Sequence, residues 1–212
     1  MVGWLRGEVV FEDSFVTDRR HNARIFGPLE GLLESLEGVA IECVLVGTGP
    51  GSYSGTRVGI AAAQGVGIAR GCPVVGLPSL LATPEARSGG AVVYLGDARR
   101  GAWWHARVDG GRLLAAPAIC EAGELAEVAE QALGAGEPVL SFDPLERLGL
   151  GDEQTQGLVA GGPTAGRLVE AWLGMSDQER LASAGVPPEP YYIRPPHITE
   201  AKKGHPLLRK AR

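Results

Sequence analysis

The sequence predicts an α/β protein of two lobes, and three observations lead to that prediction. Short apolar stretches typical of strands alternate with stretches of helical periodicity, which is the pattern of α/β folds. The alternation stops at the Ser88-Gly89-Gly90 turn and then restarts, which divides the chain into residues 1–88, 89–190 and a tail at 191–212. The 212 residues suffice for one domain or two small lobes, and not for three.

In the first lobe, Arg6-Gly7 has the residues of a hairpin turn, and the Thr48–Gly55 loop joins a buried strand to a helix. Pro28 lies within the first helical pattern, so it must kink that helix or mark a restart. The predicted elements are strands at 3–5, 8–16, 43–47 and 73–76, and helices at 19–36, 56–70 and 78–86.

In the second lobe, Asp109-Gly110-Gly111 is a strong hairpin signal, and Pro163 suits the first turn of a helix. The stretch from 143 to 158 is polar and predicted to be irregular. The predicted elements are strands at 91–95, 101–108, 112–116 and 138–142, and helices at 121–133 and 163–173.

Composition and charge exclude several classes of protein. The 32 glycines among 212 residues are about 15%, against a usual ~7%, but no repeat accompanies them, which excludes a collagen or a disordered linker. The net charge of -5 argues against a general nucleic-acid binder. The tail from Tyr191 is basic, with six Lys or Arg against Glu200 alone, which indicates either a solvated terminus or a contact with RNA or an acidic partner.

The cysteines and the apolar stretches indicate a cytoplasmic protein. Cys43, Cys72 and Cys120 are far apart and form no C-x-x-C, so neither a disulfide framework nor a zinc knuckle is encoded. The first residues lack the apolar core of a signal peptide, and no stretch approaches the ~18 apolar residues of a membrane span. We therefore expect a reducing compartment and no membrane contact.

The glycine loop at residues 47–57 carries the densest signal in the sequence. Glycines before a helix let an anion approach the backbone amides, and the loop residues are Gly49, Gly51, Ser52, Tyr53, Ser54, Gly55 and Arg57. The loop nevertheless lacks the Gly-Lys-Ser/Thr of a Walker loop, the third glycine of a dinucleotide fingerprint and the serine of a nucleophile elbow. The alternatives are an anion or nucleotide loop and a tight turn with Ser54 as helix N-cap.

Two helical faces have the character of packing surfaces. Gly59, Ala63 and Gly67 recur every four residues, which gives the helix one smooth face for close approach. The earlier helix carries an apolar stripe of Ile25, Leu29, Leu32 and Leu36, widened by Phe26 and Leu33. Each face would pack either inside its own lobe or against a partner helix.

These stretches together resemble the TsaB (YeaZ) family. Gly49–Gly59 reads GPGSYSGTRVG and resembles the family's G-P-G-S-[FY]-[TS]-G-x-R-[IV]-G, with PVVGLPSL following at 73–80. Weaker matches are Arg20-His21 with its helix, Asp97-Ala98-Arg99, and Pro190–Arg194. The resemblance runs with gaps from about Gly3 to Arg194.

The resemblance implies a two-lobed, actin-like (ASKHA) fold and a subunit without catalytic activity. Such proteins are partners of TsaD in forming N6-threonylcarbamoyladenosine at position 37 of tRNAs that read ANN codons, with the ATPase TsaE joining them. TsaD would form a heterodimer with the helices carrying Ile25, Leu29, Leu32, Leu33, Gly59, Ala63 and Gly67. tRNA would be reached through the complex.

The same comparison implies that this chain has no metal site and binds no cofactor directly. ATP or ADP and Mg²⁺ would bind in the assembled complex. The catalytic paralogue carries metal-binding histidines where this chain has Gly76–Ala82, without histidine. The alternatives are a stand-alone ASKHA-type enzyme, either a glycoprotease-like peptidase or a kinase, and a homodimeric structural protein.

The main departure from the family is at the N-terminus. Members usually open with a strand of the type I-L-A-[IL]-D-T-[SA], whereas Met1 falls where the second strand should begin. We therefore expect a first lobe without its usual first strand, with a neighbouring strand left unpaired. A start further upstream and a reorganised sheet are the two explanations, and nucleotide binding is the function that either would put in question.

Three other polar or aromatic features receive structural assignments. Asp97 and Arg99 are expected to form a salt bridge or turn at a strand end. Of Trp103 and Trp104, adjacent in a strand, one should face the core and the other the surface or the interlobe cleft. His21 is expected at the surface or an interface.

Overall fold

The computed structural model describes residues 1–15 and 24–194, and within them strands and helices alternate as predicted. The elements before the Ser88 turn are β1 (Val2–Leu5), β2 (Glu8–Glu12), α1 (Phe26–Ser35), β3 (Val44–Gly47), α2 (Tyr53–Arg70) and β4 (Val74–Leu77). Those after it are β5 (Ala91–Asp97), β6 (Trp103–Asp109), β7 (Arg112–Leu113), β8 (Ala118–Cys120), α3 (Ala122–Gly134), β9 (Val139–Ser141), α4 (Asp152–Thr155), β10 (Leu158–Ala160), α5 (Ala165–Leu173) and α6 (Asp177–Ala184).

The second lobe is built on a six-stranded sheet whose order is β10-β9-β5-β6-β7, with β8 also paired to β6. β5 and β6 form its antiparallel centre, with Ala91 opposite Asp109 and Asp97 opposite Trp103. β9 and β10 add to the other side of β5 in parallel. The sheet is therefore mixed, as expected for an α/β fold that contains a hairpin.

Both faces of this sheet are buried. Successive side chains of a strand point to opposite faces, so one strand contributes residues to two cores. Val92 and Tyr94 of β5 belong to one core cluster, with Trp104 and Leu140. The intervening residues of β5, Val93 and Leu95, belong to a second cluster. This cluster also contains Leu125 and Ala129 of α3 and Val139 of β9. The cores consist mainly of Ala, Val and Leu.

The first lobe has two separate two-stranded sheets in place of one continuous sheet. β1 pairs with β2 antiparallel, and β3 pairs with β4 in parallel. Within residues 1–15 and 24–194, no ladder joins the two pairs, so β1 and β3 each keep one open edge. The sequence predicts an unpaired strand in this lobe, whereas each first-lobe strand described here has one pairing partner. Helix α5 packs against both pairs.

The chain returns to the first lobe after completing the second. α5 packs against β1 and β3, and α6 packs against β4. Leu168 of α5 joins Val75 and Leu77 in one core cluster. The sequence assigned residues 89–190 to the second lobe, whereas α5 and α6 within that range also pack against first-lobe strands.

Several local predictions also change. Helix α1 begins at Phe26, so Pro28 lies in its first turn, where a missing N–H costs little. The predicted helix at 78–86 consists of two 3-10 turns, Ser79–Leu81 and Glu85–Arg87. None of the helices in the described part of the chain has the length and apolar content required to cross a membrane.

Candidate functional site

An apolar groove of about 550 Å³ lies between α1 and α2. Ile25, Leu29 and Leu33 line it because residues four apart share one face of a helix. Phe26 also lines the groove and remains 64% exposed. The opposite wall consists of Val58, Ala61, Ala62, Gly65, Val66, Ala69 and Arg70 of α2. Arg70 is the one charged residue in this lining, so the groove is an exposed apolar surface of the kind that marks binding sites.

Charged side chains lie on either side of the groove. Glu30 and Glu34 are exposed and continue the helical row of Phe26 along α1. Arg57 and Arg70 are exposed near the two ends of α2, and Arg70 also favours the negative end of that helix. The groove therefore has an acidic side on α1 and positive charge on α2.

The row of Gly59, Ala63 and Gly67 faces the β3–β4 sheet of its own lobe, and contact of this row with a partner stays a prediction. A Cβ placed on Gly67 would lie 3.0 Å from the carbonyl oxygen of Cys72 and still closer to the side chain of Val74. A Cβ on Gly59 would be 3.9 Å from Val46, and Ala63 is only 8% exposed. The smooth face lets α2 approach its own β3–β4 sheet, which is the intramolecular alternative.

Leu32 is also turned into the first lobe. Its Cδ1 lies 2.9 Å from the position that a Cβ on Gly3 of β1 would occupy. Of the α1 residues predicted for the interface, Ile25, Leu29 and Leu33 line the groove, and their contact with a partner stays a prediction. The α2 side of the groove was not identified from the sequence, although Ala61, Gly65 and Ala69 also recur at intervals of four.

The glycine loop joins β3 to α2 and is held by hydrogen bonds to Ser79. The Gly49 N–H donates to Ser79 Oγ at 3.0 Å, and the Ser79 N–H donates to the Gly49 carbonyl at 2.8 Å. Ser52, not Ser54, is the N-cap of α2, and its Oγ accepts a hydrogen bond from the Gly55 N–H at 3.3 Å. These bonds fix the loop as a tight strand-to-helix turn.

A tyrosine from the C-terminal part of the chain covers the first turn of α2. The ring centroids of Tyr53 and Tyr192 are 4.8 Å apart with 29° between the planes. Arg57 donates from Nη1 to the Tyr53 hydroxyl at 2.7 Å, and this hydrogen bond raises the pKa of the guanidinium. Arg57 is therefore held by the hydroxyl and the ring of Tyr53. The anion-loop hypothesis would instead have this side chain bind a phosphate.

The polar residues at the end of β5 form a structural turn. Arg99 Nη1 contacts Asp97 Oδ2 at 2.8 Å, and the Asp97 N–H donates to Asp143 Oδ2 at 3.0 Å. Trp104 is 4% exposed in one core of the second lobe, whereas Trp103 is partly buried on the other sheet face and donates from Nε1 to a backbone carbonyl. The turn and the buried Trp104 agree with the sequence prediction, whereas Trp103 packs on the second core cluster rather than facing the surface or an interlobe cleft.

The potential metal ligands among residues 1–15 and 24–194 do not cluster. No group of three or more His, Cys, Asp or Glu in this part of the chain could hold a metal ion. His105 lies 3.8 Å from Glu124, and His21 and residues 195–212 of the basic tail lie outside the described residues. Burial raises the pKa of the Cys43 thiol and, with Glu124, raises that of Cys120 to about 11, which is opposite to the shift that activates a cysteine nucleophile.

Curated relatives of this chain come from mycobacteria. "Uncharacterized protein Rv3421c" of Mycobacterium tuberculosis is 33% identical over 120 residues, which are 55% of this chain and 56% of the relative. "Uncharacterized protein ML0378" of Mycobacterium leprae is 42% identical over 79 residues, 37% of this chain and 22% of the relative. The chain thus spans about half or less of the length of these relatives.

Solved structures show the same fold. The chain is 21% identical to YeaZ from Pseudomonas aeruginosa, with a TM-score of 0.59 and coverage of 89% of this chain and 91% of that one. A second structure, of an uncharacterized protein with similarity to peptidase YeaZ from Pseudomonas aeruginosa, has a TM-score of 0.62 at 21% identity, covering 90% and 92% of the two chains.

The family comparison covers more than half of the chain. The model for TsaD, described as tRNA N6-adenosine threonylcarbamoyltransferase, matches residues 15–140. This range includes the groove, the glycine loop and the central strands of the second lobe. The chain belongs to this family, with the fold of the YeaZ structures, and is a TsaB/YeaZ-like protein.

Proposed function

We propose that this chain is a non-catalytic partner subunit of TsaD in forming N6-threonylcarbamoyladenosine at position 37 of tRNAs that read ANN codons. Membership of the TsaD family and the YeaZ fold support a role in this tRNA modification system. TsaE is the proposed third component, and tRNA is reached through the complex. ATP or ADP with Mg²⁺ enters this proposal only in the assembled complex.

The observation that carries the proposal is the α1–α2 groove. Fully burying an aromatic or aliphatic side chain is worth about 1.5–3 kcal/mol, so covering Phe26 from 64% exposure would contribute roughly 1–2 kcal/mol. Ala61, Gly65 and Ala69 add little volume, which allows a second helix to approach the axis of α2 closely. This is the geometry of helix-in-groove recognition.

The charges along the groove predict the character of the docking helix. Its apolar face should enter the groove, and it should carry Lys or Arg opposite Glu30 and Glu34. An acidic residue should lie near Arg70. Such complementarity sets orientation and association rate more than total affinity.

The catalytic groups are assigned to TsaD in this proposal. Two kinds of observation support that division: the raised thiol pKa values of Cys43 and Cys120, and the lack of a three-ligand acidic, histidine or cysteine cluster in residues 1–15 and 24–194. A metallopeptidase acting alone would need such a ligand cluster, and a cysteine peptidase would need a thiol with a lowered pKa. A homodimer would use the same groove, so the experiment must separate the two assemblies.

The test compares Gly65→Glu with Gly134→Glu in a binding titration against TsaD. Both glycines are exposed in helices, and a Cβ at either position meets nothing within 4 Å, so both variants should fold. Gly65→Glu places a carboxylate in the groove and should weaken binding about 30-fold or more, as expected at the centre of an interface. Gly134→Glu, on the second lobe, should bind as the wild type does.

Two results would contradict the proposal. Equal affinity of both variants for TsaD would remove the groove from the interface. Failure of the wild type to bind TsaD, together with self-association that Gly65→Glu abolishes, would assign the groove to a homodimer.

A further inference from the structure

The C-terminal strap, residues 186–193, crosses the glycine loop outside any helix or strand. We propose that this strap is a conformational clamp: it closes the glycine loop against the first lobe, and the second lobe holds it in place. The inference is independent of the proposed function, because it concerns how the chain contacts itself.

The strap lies against first-lobe backbone at two glycines. A Cβ on Gly76 would be 2.9 Å from Pro188 Cβ, and a Cβ on Gly49 would be 3.1 Å from the Tyr191 carbonyl oxygen. Between these contacts, the Tyr191 N–H donates to the Thr48 carbonyl at 2.8 Å. The lack of side chains at Gly49 and Gly76 therefore makes room for the strap. The local sequence does not reveal this need for glycine at the two positions.

Tyr192 closes the end of the loop. Its ring stacks on Tyr53, the first residue of α2, and Arg57 binds the Tyr53 hydroxyl, with its guanidinium carbon 5.4 Å from the centroid of that ring. A stacked aromatic pair shifts a local equilibrium by about 2- to 12-fold beyond its buried area. This contact should therefore keep the Tyr53 and Tyr192 rings stacked for most of the time.

The second lobe holds the strap from the other side. The Tyr191 hydroxyl donates to the Pro117 carbonyl at 3.2 Å, just before β8. Ile193 packs against the core cluster that contains Tyr94 and Trp104. Tyr191 thus contacts both lobes, the first through its backbone N–H and the second through its side chain.

Release of the strap would uncover the face of the Tyr53 ring on which Tyr192 stacks and the backbone around Gly49. The loop therefore has a closed arrangement, described here, and an open one that the strap controls. This predicts that access to the loop depends on Tyr191 and Tyr192, and not on the loop residues alone.

The test measures backbone hydrogen–deuterium exchange of residues 49–57 in the full chain. Tyr192→Ala should speed exchange in these residues by about 2- to 12-fold, whereas Tyr192→Phe keeps the ring and should retain wild-type protection. Tyr191→Phe removes only the hydroxyl that binds Pro117, and should also speed exchange in the loop. Exchange in α3, remote from the strap, serves as the internal reference and should not change.

Unchanged loop exchange in Tyr192→Ala would overturn the closing role of the strap. Unchanged exchange in Tyr191→Phe would overturn the anchoring role of the second lobe. Equal acceleration in the loop and in α3 would also reject the clamp, because it would mean that the substitution merely destabilises the whole chain.

Discussion

Replacing Gly67 by alanine should destabilise the chain, whereas the same replacement at Gly65 should stabilise it. Both positions lie inside α2, so each alanine gains about 0.8–1 kcal/mol of helix propensity. Only Gly67 faces the sheet, where the added Cβ would lie under 3.0 Å from the Val74 side chain. Gly65 is exposed and a Cβ there meets nothing within 4 Å.

The magnitude follows from the steric cost alone, because the propensity gain cancels between the two variants. Overpacking a filled core costs about 1–3 kcal/mol, so the free energies of unfolding of Gly65→Ala and Gly67→Ala should differ by that amount. Val74 is β-branched and sits in the parallel β3–β4 pair, so its side chain cannot move away without disturbing the strand. The contact must therefore be relieved by shifting α2 or β4.

Thermal unfolding monitored by circular dichroism provides the assay. For a chain of this length, 1 kcal/mol corresponds to roughly 2–4 °C, so the two Tm values should differ by roughly 2–12 °C, with Gly65→Ala the higher. Equal Tm values would refute the inward orientation of the Gly59/Ala63/Gly67 row. A lower Tm for Gly65→Ala than for Gly67→Ala would place the groove on the wrong face of α2.

Three further predictions test other parts of the structure. Ser52→Ala should lower the free energy of unfolding by about 0.5–2 kcal/mol through loss of the N-cap, and Ser54→Ala should not; equal effects in urea titrations would restore Ser54 as the cap. Gly96→Ala should cost about 1–3 kcal/mol and alter tryptophan fluorescence, because its Cβ would lie under 3.0 Å from the Trp104 ring; an unchanged spectrum and stability would contradict this packing. Burial raises the pKa of Tyr94 to about 12, so the contribution of this side chain to stability should persist below pH 10. It should decline between pH 10 and 12, because Tyr94 loses its proton in the unfolded chain before it does so in the folded chain. Ultraviolet titration showing every tyrosine ionised near pH 10 in the folded chain would disprove this prediction.

Helical periodicity identified one small-residue face of α2 but not the direction in which it points. Gly59, Ala63 and Gly67 form one small-residue row, and Ala61, Gly65 and Ala69 form another. Both rows are small and uncharged, so neither composition nor spacing tells which one meets the sheet. The orientation is decided by Val46 and Val74, which belong to strands outside the helix.

Short elements, and segments that contact residues far away in the sequence, were also difficult to predict. β8 and β10 have three residues each, too few for a period-two pattern to stand out. Helix α6 was missed, although Ser176 and Glu179 form a capping box that a search for S-x-x-E would have found. The strap has no periodicity, and its contact between Tyr191 and Thr48 joins residues far apart in the sequence.

The groove could be predicted in part, because it lies next to well-formed helices. The stripe of Ile25, Leu29 and Leu33 follows directly from helical spacing, and the structure leaves it open along the groove. The other wall depends on how α1 and α2 sit relative to each other, which is tertiary information. The glycine loop was located correctly between strand and helix, but its cover by Tyr192 depends on the fold of the whole chain.

Formation of N6-threonylcarbamoyladenosine in a reconstituted reaction with TsaD, TsaE, ATP, tRNA and an activated threonylcarbamoyl donor tests the central claim most directly. Wild-type chain and Gly134→Glu should both support product formation when TsaD is present, the chain without TsaD should form none, and Gly65→Glu should lose most of the stimulation. Product formed by this chain in the absence of TsaD, or full stimulation by Gly65→Glu, would contradict a non-catalytic subunit that acts through the α1–α2 groove.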